Sequence, residues 1–177
     1  MKKLIAILIS LCLMLAAAGA FAETAITEMS WETVEPLLET YGLEGNFETF
    51  DEVAVQIWIP SSMTRSELTQ EDVDKGFIAH FLDEDQTAQI LVMYTDADGM
   101  TLEEYAKALP DDSVSDIEEL VINDLEAISY TVEETDSITY AFEIENGYIL
   151  DVTMAPKSAE GADIAWYIVA SSIMEEE

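Results

Sequence analysis

Apolar residues recur along the chain at two periods, and the change of period marks out the elements. Trp31, Val34, Leu38 and Tyr41 fall on one helical face, which predicts a helix over 31–41 with Ser30 placed to cap it and Gly42 to stop it. Pro36 lies inside that run and either kinks the helix or marks its true first turn. From residue 53 the period drops to two. Val53, Val55, Ile57 and Ile59 alternate with Ala54, Gln56 and Trp58 up to Pro60, the pattern of a strand. Thr69 to Lys75 reads as a short helical turn, and Gly76 opens a strand over 77–82. The acidic turn Asp83-Glu84-Asp85 leads into a strand over 88–95, so these two form a hairpin.

The best-specified helix covers 102–109. Thr101 and Glu104 make a capping box, Leu102, Tyr105, Ala106 and Leu109 form the apolar stripe, Glu103 precedes Lys107 by four, and Pro110 ends the run. Strands are predicted at 117–122 and 126–132 around Asn123-Asp124, and at 138–145 and 148–155 around Asn146-Gly147. A strict two-residue turn at Asn146-Gly147 pairs Phe142 with Asp151. A slip of one residue pairs Ile144 with Leu150 and Phe142 with Val152. Apolar matching favours the slip and the Asn-Gly dipeptide favours the tight turn. A last helix is expected over about 160–174, apolar on most sides, before a fraying acidic tail, Glu175 to Glu177.

The order helix, strands, helix, strands, helix, with hairpin joints, predicts an α+β fold. The expected form is a single antiparallel β-sheet flanked by helices on both faces. The run Trp31…Phe47-Glu48-Thr49-Phe50, then Ile57-Trp58-Ile59-Pro60, Gly76-Phe77, Leu102-Glu103-Glu104-Tyr105-Ala106, Ile128-Ser129-Tyr130 and a closing helix resembles small secreted bacterial proteins with the PsbP-like α/β/α sandwich. The resemblance spans most of the chain after its leader. It implies a binding protein without catalysis, since members of that fold include a photosystem II extrinsic subunit and a nuclear Ran-binding factor. Their partners do not follow from the fold.

The N-terminus changes the picture. Lys2-Lys3, the apolar run Leu4 to Leu15, which is too short to span a bilayer, and the small residues ending Ala20-Phe21-Ala22 make residues 1–22 a Sec-type signal peptide. Residues 23–29 are expected as a flexible lead-in and 30–177 as one domain. Cleavage of 22 residues from 177 leaves 155. It removes two lysines and no acids, taking the formal charge from −32 to −34. The only strong bases left are Arg65, Lys75, Lys107 and Lys157 against 38 acids. That balance disfavours nucleic acid and anionic membrane, and it admits a basic protein, a small basic ligand or divalent cations. Cys12 leaves with the leader, which excludes disulfides and thiol chemistry from the mature chain.

Candidate chemistry is sparse. His80 has no accompanying nucleophile motif and reads as a strand histidine, and zinc lacks a second His or any Cys. With 38 acids present, no carboxylate pair for glycoside hydrolysis stands out. No phosphate-binding glycine motif occurs. Asp96-Ala97-Asp98-Gly99 resembles the middle of a calcium loop, but Tyr94 and Tyr105 occupy its two end positions, so the segment fits a strand-to-helix turn better. Asp96 and Asp98 remain the candidate calcium ligands, and Trp58 the candidate ligand-facing aromatic, against core packing. The expectation is a secreted (periplasmic, in a Gram-negative cell), highly acidic, non-catalytic binding domain with no stable membrane anchor. The alternatives are a calcium- or divalent-cation-linked surface protein and a carboxylate-based hydrolase.

Overall fold

The computed structural model describes residues 26–97, 99–110, 112–144 and 148–176. Among them the chain builds two sheets rather than one. Eight strands form the larger sheet: β1 (Thr27–Met29), β4 (Met63–Arg65), β5 (Phe77–Asp83), β6 (Gln89–Asp96), β7 (Val114–Ile122), β8 (Leu125–Val132), β9 (Ser137–Ile144) and β10 (Tyr148–Ala155). Their spatial order is β1-β7-β8-β9-β10-β6-β5-β4. The smaller sheet holds β2 (Gly45–Phe50), β3 (Val55–Pro60) and β11 (Met174–Glu175) in the order β11-β3-β2. The helices are α1 (Trp31–Tyr41), α2 (Gln70–Asp74), α3 (Leu102–Ala108) and α4 (Ala162–Ser171), of which α2 is little more than one turn.

The expected single antiparallel sheet flanked by helices on both faces is therefore corrected. The larger sheet is mixed, because β1 runs parallel to β7, with Thr27 opposite Leu120 and Met29 opposite Ile122. That pairing also takes residues 27–29 out of the flexible lead-in. One face of the sheet, including Ile90, Val92, Phe142, Leu150 and Met154, is covered by the small sheet together with α1 and α4. The opposite face, with Ile128, Tyr130, Ala141 and Ile149, is covered by α3 through Leu102, Tyr105, Ala106 and Leu109. The reason lies in β3. Val55, Ile57, Trp58 and Ile59 are all buried, so this strand needs cover on both sides and sits as an inner layer.

Local sequence explains the elements that position the rest. At the start of α3 the Glu104 N–H donates to Thr101 Oγ1 at 3.3 Å, and the Thr101 N–H donates to Glu104 Oε2 at 3.0 Å, the reciprocal box. Pro36 lies in the interior of α1, which runs unbroken to a left-handed Gly42. The last helix stops at Ser171, short of 174. Ser172 Oγ takes the Trp58 N–H at 2.8 Å, and the chain then extends as β11 with Met174 opposite Gln56. Of the tail expected to fray, Glu175 is paired with Val55 and the Glu176 N–H donates to the Ala54 carbonyl at 2.9 Å, while Glu177 lies outside the described residues.

The β9–β10 ladder follows neither expected register. Ile144 faces Tyr148, Phe142 faces Leu150 and Tyr140 faces Val152. The Asn146-Gly147 turn itself lies outside the described residues. Compared with the slipped alternative, this alignment keeps Tyr148 and Ile149 in the ladder. It retains the matching of apolar residues toward the small sheet and buries Ile149 fully beneath α3.

Candidate functional site

Among the described residues, Asp96, His80 and Trp58 lie on three different strands, β6, β5 and β3. Asp96 is the exposed last residue of β6, and Asp98 lies outside the described residues. Among the described residues no three His, Cys, Asp or Glu side chains gather closely enough to hold one ion. His80 sits half-buried in β5 with Nε2 3.0 Å from Gln89 Oε1. Trp58 is 3 % exposed, inside the core beside Trp31 and directly under Gly45, so it offers no face to a ligand.

The structure instead opens a cleft where the two sheets part. One side is the turn joining β2 to β3 and the C-terminal strand. The other side is formed by the ends of β6, β8, β9 and β10. Two adjoining compartments of about 490 and 480 Å³ share Val53, Ala54 and Ile144. Half-buried Val53, Leu125 and Ile144 form the accessible floor, over the fully packed Phe142 and Leu150. In the second compartment Tyr94 and Tyr148 meet edge to face, with ring centroids 5.5 Å apart, and Tyr94 is exposed. Exposed Asp51, Glu52, Glu175 and Glu176 stand on the small-sheet side, with Glu126 and Glu143 at the strand ends opposite. Among the described residues no Lys, Arg or His lines either compartment. A concave site with an apolar floor and charge of one sign attracts a complementary ligand.

Asn123 fixes the C-terminal wall. It holds a left-handed backbone in the β7–β8 turn. Its Nδ2 donates to the Ser171 and Ile173 carbonyls at 2.8 and 2.7 Å, and its Oδ1 accepts the Trp31 N–H at 2.8 Å. One amide thereby ties α1, the end of α4 and the segment entering β11 to the large sheet.

On the far face of the same sheet lies the other unusual group. Asp151 is 4 % exposed, and it accepts hydrogen bonds from Tyr105 at 3.1 Å, Tyr130 at 3.4 Å and Thr95 at 3.5 Å. Burial pushes its carboxyl up to about 6, against the lowering effect of the three hydroxyls. Burial, and then the Asp151 charge, raise Tyr105 to about 12, and the same two causes raise Tyr130 further. This carboxyl lies beneath α3, whose Tyr105 hydroxyl is one of its three hydrogen-bond donors.

The fold that these elements build is PsbP-like. A solution structure of cyanobacterial PsbP (CyanoP) from Synechocystis sp. PCC 6803 is similar to it, with a TM-score of 0.56 at 10 % sequence identity, over 89 % of this chain and 98 % of that one. At that identity the likeness concerns the fold alone. No protein-family model matches the chain, and no curated protein sequence does. No helix among the described residues is long and apolar enough to cross a membrane.

Sequence reasoning missed the cleft because its walls come from six separate stretches of chain. Asp151 did carry a signal, as the one charged residue inside the otherwise uncharged strand Tyr148–Ala155.

Proposed function

We propose that this chain is an exported, non-catalytic binding domain whose ligand sits in the cleft between the β2–β3 turn and the ends of β8, β9 and β10. The observation that carries the reading is the cleft itself: compartments of about 490 and 480 Å³, an apolar floor, and acids on the rim with no basic side chain among them. The leader over residues 1–22 supports export. Two arrangements argue against chemistry: the carboxyl raised by burial is sealed under α3, and His80 is engaged by Gln89.

The purified protein should turn over none of a panel of glycans, peptides and esters. A ligand library read by melting temperature should instead yield compounds that stabilise the protein and lose their effect in an Ile144→Glu variant, which places a charge on the floor. Reproducible turnover, or stabilisation indifferent to Ile144→Glu, overturns the reading.

A further inference from the structure

We propose that the ligand of this cleft is a basic amphipathic peptide segment, in which lysines or arginines are interspersed with bulky apolar side chains. This rests on the cleft being the binding site.

The first argument is charge. The four strong bases of the mature chain are all committed elsewhere. Lys75 pairs with Glu71, Lys107 with Glu103, and Lys157 with Asp116 and the Thr131 hydroxyl. Arg65 stacks 5.9 Å from the Phe50 and Phe81 rings and donates to the Ile78 carbonyl. The rim acids therefore have no internal counter-charge, and a cationic ligand is the complementary one.

The second argument is spacing. The rim acids are distributed around the mouth, and no three of them converge on a point that one ion could fill. Such an arrangement fits several separated positive groups better than a single metal ion. The third is the floor. Val53, Leu125 and Ile144 present apolar surface in compartments of about 490 and 480 Å³, of which a thin polyamine chain would fill little. Bulky apolar side chains fill such compartments and gain by burial. At the second compartment the exposed ring of Tyr94, set edge to face with Tyr148, offers a surface for a lysine or arginine.

The test is fluorescence anisotropy at physiological salt with a short labelled lysine–leucine peptide. The comparisons are an oligolysine of equal charge and a glutamate–leucine peptide, with spermine and calcium as competitors. The lysine–leucine peptide should bind saturably and more tightly than oligolysine, and the glutamate–leucine peptide should not bind. Combining Asp51→Asn, Glu52→Gln and Glu176→Gln should weaken binding about tenfold, the size of three screened ion pairs together. Combining Glu32→Gln, Glu35→Gln and Glu39→Gln, an equal change of charge on α1, should leave it nearly unchanged. Ile144→Ser should weaken the lysine–leucine peptide and spare oligolysine.

Equal weakening by the two triple variants, or oligolysine binding as tightly as the peptide, reduces the effect to net charge and overturns the proposal. Displacement by spermine or calcium at low concentration overturns it in favour of a small cation. If the peptide fails while another compound stabilises the protein in a manner lost with Ile144→Glu, the peptide class falls and the cleft stands. If no ligand responds to cleft substitutions, both fall.

Discussion

Asp151 stands in the middle of a strand whose neighbours on both faces are buried, and its carboxylate meets three hydroxyls but no cation. Burial is the dominant cause of its upward shift, so the native state holds a proton on this group more tightly than the unfolded chain does. The sign follows from linkage. A carboxyl raised from 3.8 to about 6 contributes stability that is fully present below the unfolded value and is lost as pH rises through the folded one. The span is about 3 kcal/mol at 1.36 kcal/mol per unit. Asp151→Asn keeps the shape and can still hydrogen-bond Tyr105 and Tyr130 without ever ionising. In urea melts the variant should be the more stable protein at pH 7, with its advantage shrinking as pH falls toward 5. A difference between the two that does not change between pH 7 and 5 would mean that Asp151 titrates like a solvated carboxyl.

At the level of elements, the architecture depends on how the C-terminal segment is attached. Asn123 makes three hydrogen bonds to α1, to the end of α4 and to the residue just before β11. Asn123→Ala leaves the Trp31 N–H and the carbonyls of Ser171 and Ile173 without partners in a half-buried place. It should lower stability by about 2–3 kcal/mol in chemical denaturation. It should also raise hydrogen exchange selectively in residues 173–176, which close one wall of the cleft. Exchange raised evenly along the chain would show that Asn123 does not hold this wall in particular.

Elements with complete local signals were legible in the sequence. The reciprocal cap of Thr101 and Glu104 placed α3, and Gly42 placed the end of α1. Elements set by distant partners were not. Thr27–Met29 becomes a strand only because β7 offers it an edge, and Met174–Glu175 only because β3 does. The β9–β10 register, left open between two alignments by the sequence, takes a third for a related reason. β10 also pairs with β6, where Leu150 faces Tyr94 and Val152 faces Val92, and the sequence around Asn146-Gly147 carries no trace of that second partner.

For the molecule as a whole, the balance of 38 acids to six bases has two consequences. Charge of one sign opposes association between copies and with polyanions, and on the proposed reading it favours encounter with a basic partner. Diffuse attraction of that kind has no address on the surface, and in the proposed reading the cleft supplies one. Its apolar floor exists because the expected single sheet is in fact two, and the small sheet parts from the large one at the β2–β3 turn. The acidity was plain from composition, whereas the cleft needed the fold, since Val53, Leu125, Ile144 and Ile173 share no local pattern. The most direct measurement is a map of backbone amide shifts by nuclear magnetic resonance as the lysine–leucine peptide is added to the isotope-labelled protein at physiological salt. The account predicts shifts concentrated at Val53, Ala54, Ile144 and Tyr148, saturating together with one dissociation constant. Shifts scattered over the acids of α1 and α3, or rising without saturation, would contradict it.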